Sequence, residues 1–194
     1  MTAAAFHATR EAWLVAAVKS LTPLLEVTGA AVPPVRVSVG FPGGRGRKNA
    51  VIGQCWAAEA STDGVAQVFV SPVIIDGVQV LATLLHELIH AADGNKSGHR
   101  GQFARIARAV GLQAPMTATT PSDALSASLR AVLDGLGAYP HAAIRTGVSG
   151  AHKPQGTRML KVQCPADGYT VRTTAKWLAV GLPVCPCGET MEPA

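Results

Sequence analysis

The stretch that most limits what this chain can fold into is DGVQVLATLLHELIHAADG, residues 76–94. Asp76 suits an N-cap and Gly94 suits a stop, which predicts a helix over 77–92. At 100° per residue, Leu85, Leu88, Ile89 and Ala92 form one apolar stripe. His86 and His90 fall to one side of it, about 40° from each other. The helix can dock on a core by its stripe while both imidazoles point into a cleft. Glu87 lies on the same arc. Two nitrogen donors one turn apart, with a carboxylate between them, are what a catalytic zinc and its general base need. The competing reading is an amphipathic helix that carries three polar residues on its outer face.

A third ligand decides between these. His99 lies beyond Gly94 and Gly98, where the chain can turn back. It is expected to open a second helix over 99–110, capped by Ser97 or Gly98, with Phe103, Ile106, Ala107 and Val110 as the apolar stripe. A helix N-terminus disfavours imidazolium and keeps His99 in the neutral form that binds metal. The metzincin spacing would put its third histidine at Lys96 and its glycine at Asp93, so it is excluded. A downstream glutamate ligand is excluded too, because no Glu occurs between Glu87 and Glu189.

The 194 residues allow one compact domain and a small appendage. Hydrophobic residues make up 48% but aromatics only 5%, so the core must be built mainly of Ala, Val, Leu and Ile. A first helix is expected over 3–28, from the spacing of Trp13, Ala17, Leu21, Leu24 and Leu25. Strands are expected over 35–41, 50–56 and 66–72, forming a small antiparallel sheet. Ser122 caps a further helix over 122–135. Residues 138–157 are rich in Gly and Pro and read as a linker; short strands and Cys-Pro turns follow from 158. The fold class is α+β.

Of the four cysteines, Cys55 reads as a buried strand residue. Cys164, Cys185 and Cys187 fall in the last 31 residues, in a pattern closer to metal ligation than to a disulfide framework. A reducing, cytoplasmic compartment fits, with no secretory signal and no membrane span expected. The net charge of +5 biases the chain toward polyanions. Basic residues gather at Arg45, Arg47 and Lys48, at Arg105 and Arg108, and at Arg158, Lys161, Arg172 and Lys176, the last group interleaved with Tyr169 and Trp177. Such a surface suits phosphates with an aromatic stacking on an unpaired base, although solvated basic faces look alike.

The segment LLHELIHAADGNKSGHRGQF, residues 84–103, resembles the SprT/Spartan family of zinc metalloproteases. Its core pattern is HExxH, a short variable insert, and His-x-x-x-Phe. His86, Glu87, His90, His99 and Phe103 match it position by position, and IGQCW at 52–56 is similar to the family's small-Cys-aromatic strand. Arg100 departs from it, since many relatives carry Gly there. Residues 163–191 resemble the zinc ribbon that often follows this core, with Asp167 where a second Cys of the first knuckle would stand.

The resemblance, which covers about residues 35–112 and 158–191, implies a zincin-like metalloprotease core over 1–137, a linker over 138–157 and a degenerate zinc ribbon over 158–194. It implies one catalytic Zn²⁺ on His86, His90 and His99, with Glu87 as general base. A second, structural Zn²⁺ would sit on Cys164, Cys185 and Cys187, with Asp167 or His152 as a fourth ligand, unless the ribbon folds without metal. The implied substrates are proteins bound or crosslinked to DNA, which would place the chain in DNA–protein crosslink repair, near the nucleoid in a prokaryote. The alternatives are a DNA-binding zinc module without cleavage and a zinc peptidase acting on free proteins.

Overall fold

The structure, a computed structural model, describes residues 7–41, 51–145 and 159–194. It divides into two compact units, Met1–Thr146 and Gly147–Ala194. The secondary structure is α+β, and no described helix is long and apolar enough to cross a membrane.

In the first unit, helix α1 (Arg10–Glu26) starts where the Thr9 hydroxyl accepts from the backbone N–H of Ala12 at 3.1 Å. Its buried face is Trp13, Leu14, Ala17, Leu21 and Leu25. Strands β1 (Val35–Val39), β2 (Gly53–Trp56) and β3 (Ala66–Val70) form one sheet in the order β1-β3-β2. The expected antiparallel sheet is corrected here: β2 pairs with β3 antiparallel, but β1 pairs with β3 in parallel, Val37 opposite Val68. Apolar alternation marks which face of a strand is buried, not the direction in which the strand runs. Val37, Val68 and Val70 point to the core, and β2 is left at the edge.

Helix α2 (Gly77–Ala92) has the expected bounds, with the Asp76 carboxylate accepting from Gln79 N–H at 2.8 Å. It packs against β2, β3, α1, α3 and α4 and is therefore buried around most of its girth. Helix α3 (Gly101–Val110) seats Phe103, Ile106 and Ala107 on the same core and ends at Gly111, where φ is 101°. Strands β4 (Leu112–Gln113) and β5 (Thr120–Pro121) make a short antiparallel ladder, and Ser122 caps α4 (Asp123–Leu136) as expected.

The start of the stretch read as a linker, 139–142, packs in the first unit. The buried guanidinium of Arg10 donates to the carbonyls of Pro72, Pro140, His141 and Ala142 at 2.9–3.3 Å, and it lies 4.8 Å from the Tyr139 ring. Tyr139 in turn packs edge-on against Trp13. Satisfying the five donors of a buried guanidinium takes a dense set of carbonyls, and the 139–142 segment supplies most of it. The remainder of the expected linker, 146–157, lies outside the described residues.

The second unit is a three-stranded antiparallel sheet in the order β7-β6-β8, built from β6 (Met159–Gln163), β7 (Thr170–Thr174) and β8 (Glu192–Pro193), with a short helix α5 (Ala175–Leu178). Its buried cluster is Val162, Cys164, Cys185 and Met191.

Candidate metal centre

The helical spacing of His86 and His90 puts both rings on the side of α2 that faces β2 and the 117–121 segment. The three parts enclose a cleft of about 670 Å³ whose lining includes all three histidines and Glu87. His99 meets the other two from the far side of a tight turn. Its Nε2 lies 3.3 Å from Nε2 of His86 and 3.2 Å from Nε2 of His90. The three ligand atoms form a group placed to hold a metal ion.

The turn that returns His99 is not the one expected. His99 precedes α3 rather than opening it, and the cap position belongs to Arg100, which makes no side-chain cap bond. Ser97 does not cap α3 either: its N–H and hydroxyl both bond the buried Asp93 carboxylate at 2.8 Å. Gly94, Asn95 and Gly98 take φ values of 61°, 56° and 54°, the left-handed conformation that reverses the chain within a few residues. The side-chain amide of Asn95 donates to the Cys55 carbonyl at 3.3 Å and ties this turn to β2.

Phe103 lies beneath the three rings. It stacks on His90 at 4.2 Å and meets the rings of His86 and His99 at 4.9 and 5.2 Å. Its burial withdraws the imidazoles from water. Burial first, then repulsion from the neighbouring rings, holds His86 down at about 3 and His90 at about 4. Both are therefore neutral at pH 7, the state in which an imidazole nitrogen can ligate.

Glu87 is 5% exposed, and burial lifts its carboxyl to about 8 against the pull of a backbone hydrogen bond from Cys55. Its seat depends on Gly53: a Cβ there would stand 2.6 Å from Glu87 Oε1 and 2.6 Å from Thr83 Cγ2. Only a residue without a side chain leaves room for the carboxyl group. Cys55 is half-buried in the cleft wall rather than in the core, and burial raises its thiol to about 11, so it stays protonated.

Sequence reasoning missed Thr119, Gly53, Asp93 and Asn95. Thr119 Oγ1 lies 2.9 Å from His86 Nδ1, across 33 residues of chain, and no local pattern marks it. Gly53 did leave a signal, since a glycine inside a strand marks close approach by another group.

In the second unit, Cys164, Asp167, Cys185 and Cys187 form another group placed to hold a metal ion. Cys164 and Cys187 Sγ lie 3.5 Å apart, and Cys185 Sγ lies 3.4 Å from Asp167 Oδ2. Two tight turns present them, closed by Gly168 N–H to the Cys164 carbonyl and Gly188 N–H to the Cys185 carbonyl. The Tyr169 N–H, followed by the neighbouring thiols, holds the Asp167 carboxyl below its usual range. His152 lies outside the described residues.

Among the basic candidates, Lys161 and Arg172 stand directly opposite each other on β6 and β7, both exposed. Lys176 lies 4.9 Å over the exposed Trp177 ring, and Tyr169 is exposed as well. Arg105 and Arg108 are exposed on α3, while Arg45, Arg47, Lys48 and Arg158 lie outside the described residues. Comparison of the chain with family models, with curated proteins and with solved structures returned no match.

Proposed function

We propose that the chain is a zinc-dependent endopeptidase of the SprT type that acts on proteins bound or crosslinked to DNA. The observation that carries this reading is the convergence of three imidazole nitrogens beside a buried carboxylate in one cleft. Tetrahedral zinc with Zn–N distances of about 2.0–2.1 Å sets its nitrogens about 3.3–3.4 Å apart. The separations of His99 Nε2 from His86 and His90 Nε2, 3.3 and 3.2 Å, are close to that spacing. Each neutral imidazole has one N–H, so three nitrogens meeting at one point cannot all be satisfied by one another. The three thiolates and the carboxylate of the second unit suit a structural zinc.

His86, His90 and His99 would hold Zn²⁺, which would supply a Lewis acid for water and for a peptide carbonyl. The chain's own contribution starts with Glu87, which accepts a proton from the attacking water and returns it to the departing amine. A cation at the three histidines would favour the ionised carboxylate, the form that accepts this proton. Gly53 and the Cys55 N–H hold it in place. Residues 51–55 line the cleft and β2 is an edge strand; with the Cys55 backbone engaged by Glu87 and Asn95, an extended peptide would add beside residues 51–53. The exposed Lys161 and Arg172, opposite each other on one sheet, support a DNA partner, since a phosphate there would meet two cations.

The test is Glu87→Gln, which keeps size and shape but removes the base. Zinc content, fold and DNA affinity should be retained, while cleavage of a DNA-bound protein falls by about 10²–10⁴-fold. Cleavage at the wild-type rate by this variant would exclude the mechanism. Cleavage by neither protein, with zinc and DNA bound, would favour the binding-module reading.

A further inference from the structure

We infer that Thr119 is a positioning residue for the metal centre, the group that fixes which nitrogen of His86 faces the ion; this rests on the metal reading of the three histidines. Thr119 Oγ1 lies 2.9 Å from His86 Nδ1. A neutral imidazole carries one N–H. With that hydrogen on Nδ1 and donated to Thr119, Nε2 keeps its lone pair and directs it to the point where His99 and His90 also converge. The opposite tautomer puts a hydrogen into that point and removes one ligand. The hydroxyl thus holds Nδ1 away from the ion, fixes the ring plane, and accepts the Nδ1 hydrogen in the ligating form.

The contact is held in place by the fold rather than by His86. Thr119 sits in the segment between β4 and β5, whose ladder pairs Leu112 with Pro121 and Gln113 with Thr120. Leu112 is anchored in the core, the Ser122 N–H bonds the Gly111 carbonyl at 2.9 Å, and the Ala118 N–H bonds the Pro115 carbonyl at 2.9 Å. Among the described residues, Thr119 makes the one side-chain hydrogen bond that the structure gives to an Nδ1 of the three rings. Nδ1 of His90 is buried with no partner. Orientation of the triad thus depends unevenly on the His86 side.

The test uses the full chain and Co²⁺ as the probe, followed by its visible ligand-field absorption during competition with a chelator. Cobalt at the cysteine group gives a separate sulfur-to-metal charge-transfer band, so the two sites are read apart. Thr119→Val keeps the volume and removes the hydroxyl. Affinity at the histidine site should fall by about 10- to 100-fold, as when the partner of a ligating histidine is lost. The melting temperature of the metal-free protein should stay at the wild-type value, and Thr119→Ser should restore both affinity and spectrum. Wild-type affinity in the Val variant overturns the assignment. Equal weakening in the Val and Ser variants, or a matching drop in metal-free stability, overturns it in favour of a packing role. A wild-type protein that gives no histidine-site cobalt spectrum overturns the metal reading itself, and this inference with it.

Discussion

Glu87 favours its neutral form in the metal-free fold. Burial holds it at about 8, whereas an unfolded chain ionises near 4.5. Between those values the unfolded chain has released a proton that the folded chain retains, so stability falls as pH rises from 4.5 to about 8. His86 and His90 act from the other side. They titrate at about 3 and about 4 in the fold and at 6.5 when unfolded, so the unfolded chain binds more protons below 6.5 and stability falls as pH drops toward 4. Glu87→Gln lacks the first effect and keeps the second. In chelator-treated samples the melting temperature of the variant should gain on that of the wild type from about pH 5 to about pH 8 and then hold a constant lead. A lead that does not change with pH would mean that Glu87 ionises in the fold as it does in water. His86, Glu87 and His90 are readable in the sequence because one helical turn fixes their relation. Thr119 and Asn95 are not, because each reaches the cleft through a contact 33 or 40 residues away along the chain.

Among the elements, α2 and α4 match their sequence signals because Asp76 and Ser122 cap them with their own side chains. The mixed sheet does not, since a parallel partner for β3 is chosen by packing on α1 and α2 rather than by anything in the strand itself. The start of α3 is displaced for a related reason: the Asp93–Ser97 bonds use the residue that would otherwise have capped it. In the second unit, the register of β6 on β7 sets Lys161 against Arg172. Like charges in that position cost a few tenths of a kcal/mol, about the scale of any cross-strand pair. Replacing one of them, as in Arg172→Thr, should leave the sheet equally or slightly more stable. It should also weaken binding to single-stranded DNA and reduce the slope of log affinity against log salt by about 1. Fluorescence anisotropy at several salt concentrations measures this, and an unaltered slope would move the phosphate contacts elsewhere.

Across the whole molecule, the two units rest on different foundations. The apolar core of the first runs through α1, the sheet, α2, α3 and α4, and the carbonyls around Arg10 fasten the 139–142 segment to it. The buried cluster of the second is Val162, Cys164, Cys185 and Met191, so half of it consists of thiols from the group placed to hold a metal ion. The clasp at 139–142 is not legible in composition, because it uses backbone carbonyls, which every residue has. The small cluster of the second unit has a further consequence, visible in amide hydrogen exchange. If the cysteine group holds an ion, a core this slight should depend on that ion to keep its sheet. Under a chelator strong enough to strip thiolates, the amides of β6 and β7 should exchange at rates near those of an unstructured chain, while those of α1 and α2 stay protected. Equal protection of β6 and β7 with and without metal would show that the sheet stands on its side chains alone. If the expected pattern is found, metal supply decides for the C-terminal unit whether it is folded, and for the N-terminal unit only whether its histidines are filled.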